Sequence, residues 1–166
     1  MKKIIFVFLV LFSSLFAANE KKVPEVVPVS WIKENFNNPN LVIVDLREKS
    51  EFEKGHIKGA VNMPGLESLF EKDTWMIPKL DILKELFSNA GINQDSLVVA
   101  YDNGDFFWAA RLYWILEVFG HENIGLSKYS YGKYMQDNLP ITTEISKPIR
   151  KEFIPRVDNN QIETKL

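Results

Sequence analysis

Two stretches hold the residues whose types and spacing can do chemistry. In "VIVDLREKSEFEKGHIKGAVNMPG" (42–65), Asp45 and Arg47 stand two apart where an apolar run ends, followed by Glu51, Gly55, His56 and Gly59. Arg47 can make a charge-assisted pair with Asp45 or with Glu51, and either pair pins the end of a strand. Glu51 also opens a short helical stretch, where a carboxylate suits the positive end of the helix dipole. Gly55-His56-Ile57 turns the chain with Ile57 packed inward, and Gly59 permits close approach before the next strand. Asp45, Arg47, Glu51 and His56 therefore read as residues that stabilise the fold rather than react. The second stretch is "SLVVAYDNGDFFWAARLYW" (96–114). A β-branched run ends at Tyr101, a polar loop follows, and a helix-like apolar segment begins. Such loops lie outside the carboxyl end of a strand, where α/β proteins place their ligands and nucleophiles. The loop and its flank read Asp102, Asn103, Gly104, Asp105, Phe106 and Phe107, and the chain contains no cysteine.

Other chemistries fit these residues poorly. An aspartyl phosphotransferase needs a second aspartate two residues on to help hold magnesium; position 104 is Gly, and two residues after Asp45 stands Arg47. His56 and His121 are the two histidines, far apart in sequence and without paired spacing, so neither a metal site nor a cofactor is expected. No G-x-S-x-G elbow is present. Asp105 reads as an N-cap of the following helix. Phe106, Phe107 and Trp108 read as core or domain-interface aromatics. Arg111, nearly alone on an apolar helix, is expected to pair with a carboxylate, Asp102 and Asp105 being the candidates.

The elements that position these loops follow from periodicity. "LVIVDL" (41–46) and "SLVVAY" (96–101) are near-continuous β-branched runs, the pattern of strands buried on both faces. Val26 to Val29 forms a short edge strand, and "AVNMP" a short strand stopped by Pro64. Ser30 caps a helix over "WIKENF", and Ser50 one over "KSEFEK" with Gly55 past its end. "LESLFEKDTW" is a loop with one helical turn. "PKLDILKELFSNAGI" is amphipathic, with Leu80, Leu83, Phe87 and Ala90 on one stripe, Ile82 and Leu86 beside it, and Gly91 after it. "FFWAARLYWILEVFG" is apolar nearly all round, which predicts a helix buried between layers. His121 follows its end, where a cation is favoured. "NIGLS" reads as a last strand and "YGKYMQDN" as a last helix. Strands alternating with helices predict an α/β domain whose small, mostly parallel sheet carries helices on both faces.

The 166 residues suit one domain, and 46% hydrophobic residues suffice for a sizeable core. A net charge of −2 with no basic stripe argues against nucleic acid. Lys2 and Lys3, the apolar run from Ile4 and the small Ala17-Ala18 have the layout of a secretory signal peptide over 1–18. A periplasmic location follows, with membrane attachment only through an uncleaved signal segment. The folded domain is expected over 23–144. Residues 145–166, with Pro148, Pro155 and isolated apolar anchors at Ile149, Phe153 and Ile154, read as a linker.

The first stretch resembles the opening signature of the rhodanese family of sulfurtransferases: Asp45-x-Arg47, Glu51-Phe52, Gly55-His56-Ile57, Gly59-Ala60 and Asn62-x-Pro64. The likeness continues through "VVAYDNGDFFWAARLYWILEVFGHENI" and, more weakly, "YGKYMQDNLPITTE". It implies a rhodanese-like three-layer domain. Family chemistry needs a cysteine at the first loop position, where the thiolate carries a sulfane sulfur as a persulfide steadied by loop N–H groups. That position is Asp102. A carboxylate cannot carry a persulfide, and it can accept those N–H bonds itself. The stretch resembles the inactive N-terminal domain of tandem thiosulfate and mercaptopyruvate sulfurtransferases. It implies a non-catalytic structural or partner-binding half, with a catalytic rhodanese domain or a second copy as partner. The alternative is a component of a thiosulfate sulfurtransferase that uses a partner's cysteine. Where relatives carry Asp-Gly-Gly before an aromatic, this chain has Lys128-Tyr129-Ser130-Tyr131.

Overall fold

The computed structural model describes residues 23–156, so the segment read as a signal peptide lies outside the described residues. Five parallel strands form the sheet: β1 (Val26–Val27), β2 (Leu41–Asp45), β4 (Val61–Asn62), β5 (Leu97–Tyr101) and β6 (Ile124–Ser127), in the order β1-β6-β5-β2-β4. A second, two-stranded antiparallel sheet pairs β3 (His56–Ile57) with β7 (Ile141–Thr142). The alternation along the central strands sorts the helices into two layers. Val42, Val44, Val98 and Ala100 face α3 (Gly65–Ser68), α4 (Leu80–Asn89) and α5 (Phe107–Val118). Ile43, Val99 and Tyr101 face α1 (Val29–Asn35), α2 (Lys49–Lys54) and α6 (Tyr131–Gln136). The α/β three-layer architecture is the expected one.

Several local expectations are corrected. α1 begins one residue before Ser30, after Pro28, whose fixed φ suits a helix start. α2 begins after Glu48, so Ser50 lies inside the first turn rather than at the cap. In α4, Leu83 and Phe87 are buried, but Leu80 and Ile82 are exposed, because only one narrow face meets the sheet. α5 buries Ala109, Leu112, Ile115, Leu116 and Val118. Its other side leaves Trp108, Tyr113 and Trp114 only partly covered and Phe107 exposed, so it lies on the sheet rather than between layers. His56-Ile57 is a strand rather than a turn, fixed by a β7 that sequence reasoning did not foresee.

The segment beyond 144 is irregular, as a linker would be, but it is not free of the domain. Phe153 is fully buried with Phe87 and Leu116 in the core, whereas Ile149 and Ile154 are exposed. The folded unit therefore extends past residue 144. Among the described residues, no helix is long and apolar enough to cross a membrane.

Candidate functional site

The carboxyl end of β2 is closed by a buried ion pair. Arg47 Nη2 lies 2.6 Å from Asp45 Oδ2, and Nε lies 3.0 and 3.1 Å from the two carboxylate oxygens. Arg47 Nη2 also donates to the Gly55 carbonyl at 2.8 Å, and the Tyr101 hydroxyl donates to Asp45 Oδ2. The Tyr131 ring stacks 3.8 Å from the guanidinium carbon. Burial and the neighbouring Asp45 carboxylate push the Tyr101 phenol far above its ordinary pKa, so the hydroxyl stays a donor. Of the two carboxylates open to Arg47 from sequence, the structure selects Asp45.

Glu51 instead accepts from the Asn103 side chain at 3.1 Å, which ties α2 to the loop after β5. His56 stacks on Phe52 with ring centres 3.6 Å apart, and its nitrogens reach the carbonyls of Phe52 and Glu144. A Cβ at Gly55 would meet the Tyr131 hydroxyl at 2.5 Å, so here a missing side chain admits a neighbour. At Gly59 nothing lies within 4 Å; that residue serves its φ of +83° rather than the close approach expected of it.

The loop after β5 is organised around Asp102, which is 2% exposed. Its Oδ1 accepts from the amides of Gly104 at 2.8 Å and Phe106 at 3.3 Å. Its Oδ2 accepts from the amide of Ala109, in the first turn of α5, at 3.2 Å. The carboxylate thus does an N-cap's work from outside the helix, while Asp105 accepts only the exposed Phe107 amide at 3.2 Å. Phe106 occupies the cap position with φ +62°, a left-handed conformation unusual for an aromatic residue. The side-chain acceptor of Asp102 holds the backbone in that shape. Gly104, at φ +105°, lets the loop pass Ser130, whose Cβ would lie 2.8 Å from an added Cβ.

The departure at Lys128–Tyr131 leaves an ordered turn. Ser127 Oγ donates to the Tyr129 carbonyl at 2.7 Å and pairs with the Tyr134 hydroxyl. The same turn delivers Tyr131 to Arg47 and Ser130 to Gly104. Sequence reasoning missed both tyrosines that complete the Asp45–Arg47 cluster. Tyr101 had a signal, as the one polar-tipped residue ending an aliphatic strand; Tyr131 had none.

Beside the loop, Phe106 and Phe107 are 42% and 58% exposed. A file of rings leads away from them. Phe107 meets Trp108 at 4.8 Å, Trp108 meets Phe70 at 5.9 Å, and Phe70 meets the exposed Trp75 at 5.9 Å. Leu66, Phe70 and Trp75, with Glu67, Glu71 and Lys72, line a cavity of about 480 Å³. Arg111 does not pair with Asp102 or Asp105, whose oxygens hold amides; its guanidinium lies 4.4 Å from the Phe70 ring and 5.1 Å from that of Trp114. Burial lowers its pKa, and its Nε has no hydrogen-bond partner among the described residues. His56 and His121 are not brought together with acidic groups: the described residues contain no cluster of three or more metal-ligating side chains.

Known proteins place this geometry. The chain is 28% identical over 145 residues to the sulfur carrier protein TtuD of Thermus thermophilus, a match covering 82% of this chain and 49% of that one. It is 28% identical over 139 residues to a thiosulfate sulfurtransferase of Corynebacterium glutamicum, covering 82% and 46%. The crystal structure of SseA, a 3-mercaptopyruvate sulfurtransferase from Escherichia coli, superposes with a TM-score of 0.72 at 26% identity over 81% of this chain and 56% of that chain. The chain spans about half the length of the curated relatives it matches. The model of the rhodanese-like domain matches residues 28–137, which hold both strand-end clusters, and the chain belongs to that family.

Proposed function

We propose that this chain is a non-catalytic rhodanese-like domain of sulfurtransferase type, acting as a structural or partner-binding half. One observation carries the reading: the first loop residue is Asp102, and its carboxylate already holds the amides of Gly104, Phe106 and Ala109. A persulfide-bearing thiolate needs both that position and those donors. The absence of any cysteine removes every other thiol of this chain as a carrier. The exposed Phe106 and Phe107, and the aromatic-lined cavity that the Trp108 and Phe70 rings connect to them, supply apolar surface suited to a partner. The partner would be a catalytic rhodanese domain or a second copy. The signal-like layout of residues 1–18 supports a periplasmic location for the domain.

The test is cyanide-dependent thiocyanate formation from thiosulfate by the purified chain. No turnover above a heat-denatured control is expected, and clear turnover overturns the non-catalytic reading. Asp102→Cys is also expected to stay inefficient. Asp105 would remain, directly before the cap residue Phe106 and three residues from the new thiol, and its charge disfavours the thiolate. A stable persulfide on that variant, seen by intact mass with rapid cyanolysis, would show a pocket lacking only its nucleophile. The second reading, a sulfurtransferase component served by a partner's cysteine, draws on relatives about twice as long as this chain. It predicts that the chain raises the turnover of an added cysteine-bearing rhodanese domain.

A further inference from the structure

Residues 145–156 cross the ends of α4 and α5 as a strap without regular secondary structure. Main-chain bonds fix it. Lys151 N–H donates to the Ser88 carbonyl at 3.0 Å, Phe153 N–H to the Ser88 hydroxyl at 3.1 Å, and Arg156 N–H to the Phe119 carbonyl at 2.8 Å. The Gln94 side-chain amide donates to the Ile154 carbonyl. Two helix-ending glycines clear its path. A Cβ on Gly120 would meet the Arg156 carbonyl oxygen at 2.4 Å, and one on Gly91 the Ile149 carbonyl oxygen at 3.1 Å. Phe153 is the strap's fully buried apolar anchor. It packs edge-on to Phe87 at 5.1 Å, with the His121 ring 6.4 Å away on another side.

His121 is 1% exposed, and among the described residues its ring nitrogens face only the main chain at Asn123 and Ser96, with no side-chain partner. Burial holds its pKa below the ordinary 6.5, opposed only by the main-chain groups of Asn123 and Ser96. Charged side chains on the surrounding elements are engaged elsewhere or act weakly. Lys84 and Glu85 of α4 pair with Glu152 and Arg150 of the strap at the surface. Glu117 of α5 bonds the Tyr113 hydroxyl. Asp95 before β5, Glu122 next in the chain, and Lys147, Lys151 and Arg156 of the strap make no hydrogen bond or ion pair with the ring among the described residues. The dipole at the end of α5, which favours a cation at this position, is outweighed by burial.

We propose that Phe153 and His121 form an acid-released latch, in which the neutral imidazole completes the socket for Phe153 and protonation of His121 lifts the strap. The sign follows from the two states. His121 holds its proton less tightly in the docked state than in the released one, where an exposed imidazole titrates at its ordinary value of about 6.5. Docking is therefore complete above that pH. It weakens as pH falls below it, by up to about tenfold per pH unit, until the docked-state pKa is reached. Acidity is thus coupled to how firmly residues 145–156 are held and to whether Phe87 and Ser88 are covered.

Amide exchange on the full chain from about pH 8 to about pH 5, corrected for intrinsic rates, tests this. The amides of Lys151, Phe153 and Arg156 should lose protection as pH falls through about 6.5, while those of Val98 and Val99 in β5 keep theirs. His121→Leu should flatten the pH dependence of the strap. Strap protection that is constant with pH, that falls in step with β5, or that falls equally in His121→Leu overturns the latch. If His121→Leu does not fold, the imidazole resonances of Phe153→Ala decide. Their titration should move up toward about 6.5 relative to the unaltered chain, and an unmoved titration overturns the coupling.

Discussion

Asp45 and Asp102 leave the carboxyl ends of β2 and β5, neighbouring parallel strands whose register sets Asp45 opposite Tyr101. Both carboxylates are buried, yet they are satisfied differently. Asp45 takes a guanidinium and a phenol, contributed by Arg47 and Tyr101, and the cluster is closed by the Gly55 carbonyl and the Tyr131 ring. Its members come from five places along the chain and meet only when the sheet, α2 and α6 are assembled. Asp102 takes three amides from within seven residues of itself. The first cluster is a product of the tertiary fold; the second is a local cap that shapes one loop. A buried charge neutralised by an opposite charge is costly to break, because its partner is stranded. A carboxylate held only by amides strands no opposite charge when it is removed, and two of its three donors, the Gly104 and Phe106 amides, are only partly buried.

The largest effect expected from this contrast belongs to Asp45→Ala. It strands Arg47, which is 5% exposed, with the Gly55 carbonyl and the Tyr101 and Tyr131 rings as company but no opposite charge. Unfolding free energy by urea titration should fall by about 3–5 kcal/mol. A loss under about 1 kcal/mol would mean that Arg47 reaches water and that the pair does not close the strand end.

Asp102→Ala should cost less, about 1–2 kcal/mol, the range of a lost helix cap. Phe106 is then free to leave its left-handed conformation. The change should be confined to the loop, seen as faster exchange of the Gly104, Phe106 and Ala109 amides with β5 unchanged. A destabilisation as large as that of Asp45→Ala would erase the distinction between the two carboxylates.

The clusters also differ in how far sequence revealed them. The β-branched runs exposed both strands, because burial on two faces leaves a composition that few other elements share. Asp45 and Arg47 sit two residues apart, so their pairing was one of two readable options. The choice between Asp45 and Glu51 depends on where α2 points Glu51, and that is set by packing: it faces Asn103. Tyr131 could not be read, since its stacking on Arg47 needs the turn from β6 to α6, in which this chain departs from the family pattern. The strap is hidden from sequence for a similar reason. Residues 145–156 have a linker's composition, and one buried phenylalanine among charges carries no periodic signal. At His121 the helix-end electrostatics that favours a charge is visible in sequence, whereas the burial that lowers its pKa is not.

The smallest effect tests whether the two clusters speak to one another. Asn103 Nδ2 donates to Glu51 at 3.1 Å, joining the loop of Asp102 to α2, the helix whose closing Gly55 carbonyl holds Arg47. The bond is exposed and competes with water, so Asn103→Ala should change stability by less than about 0.5 kcal/mol. Its value lies in a cycle with Asp45→Ala and Asp102→Ala. If the loop and the ion pair are independent, the single changes should add to within about 0.5 kcal/mol, with or without Asn103. A larger coupling that vanishes in Asn103→Ala would show that one exposed amide joins the strand ends into a single cooperative unit. In that case Asp102 would belong to the same tertiary assembly as Asp45, rather than capping its own loop.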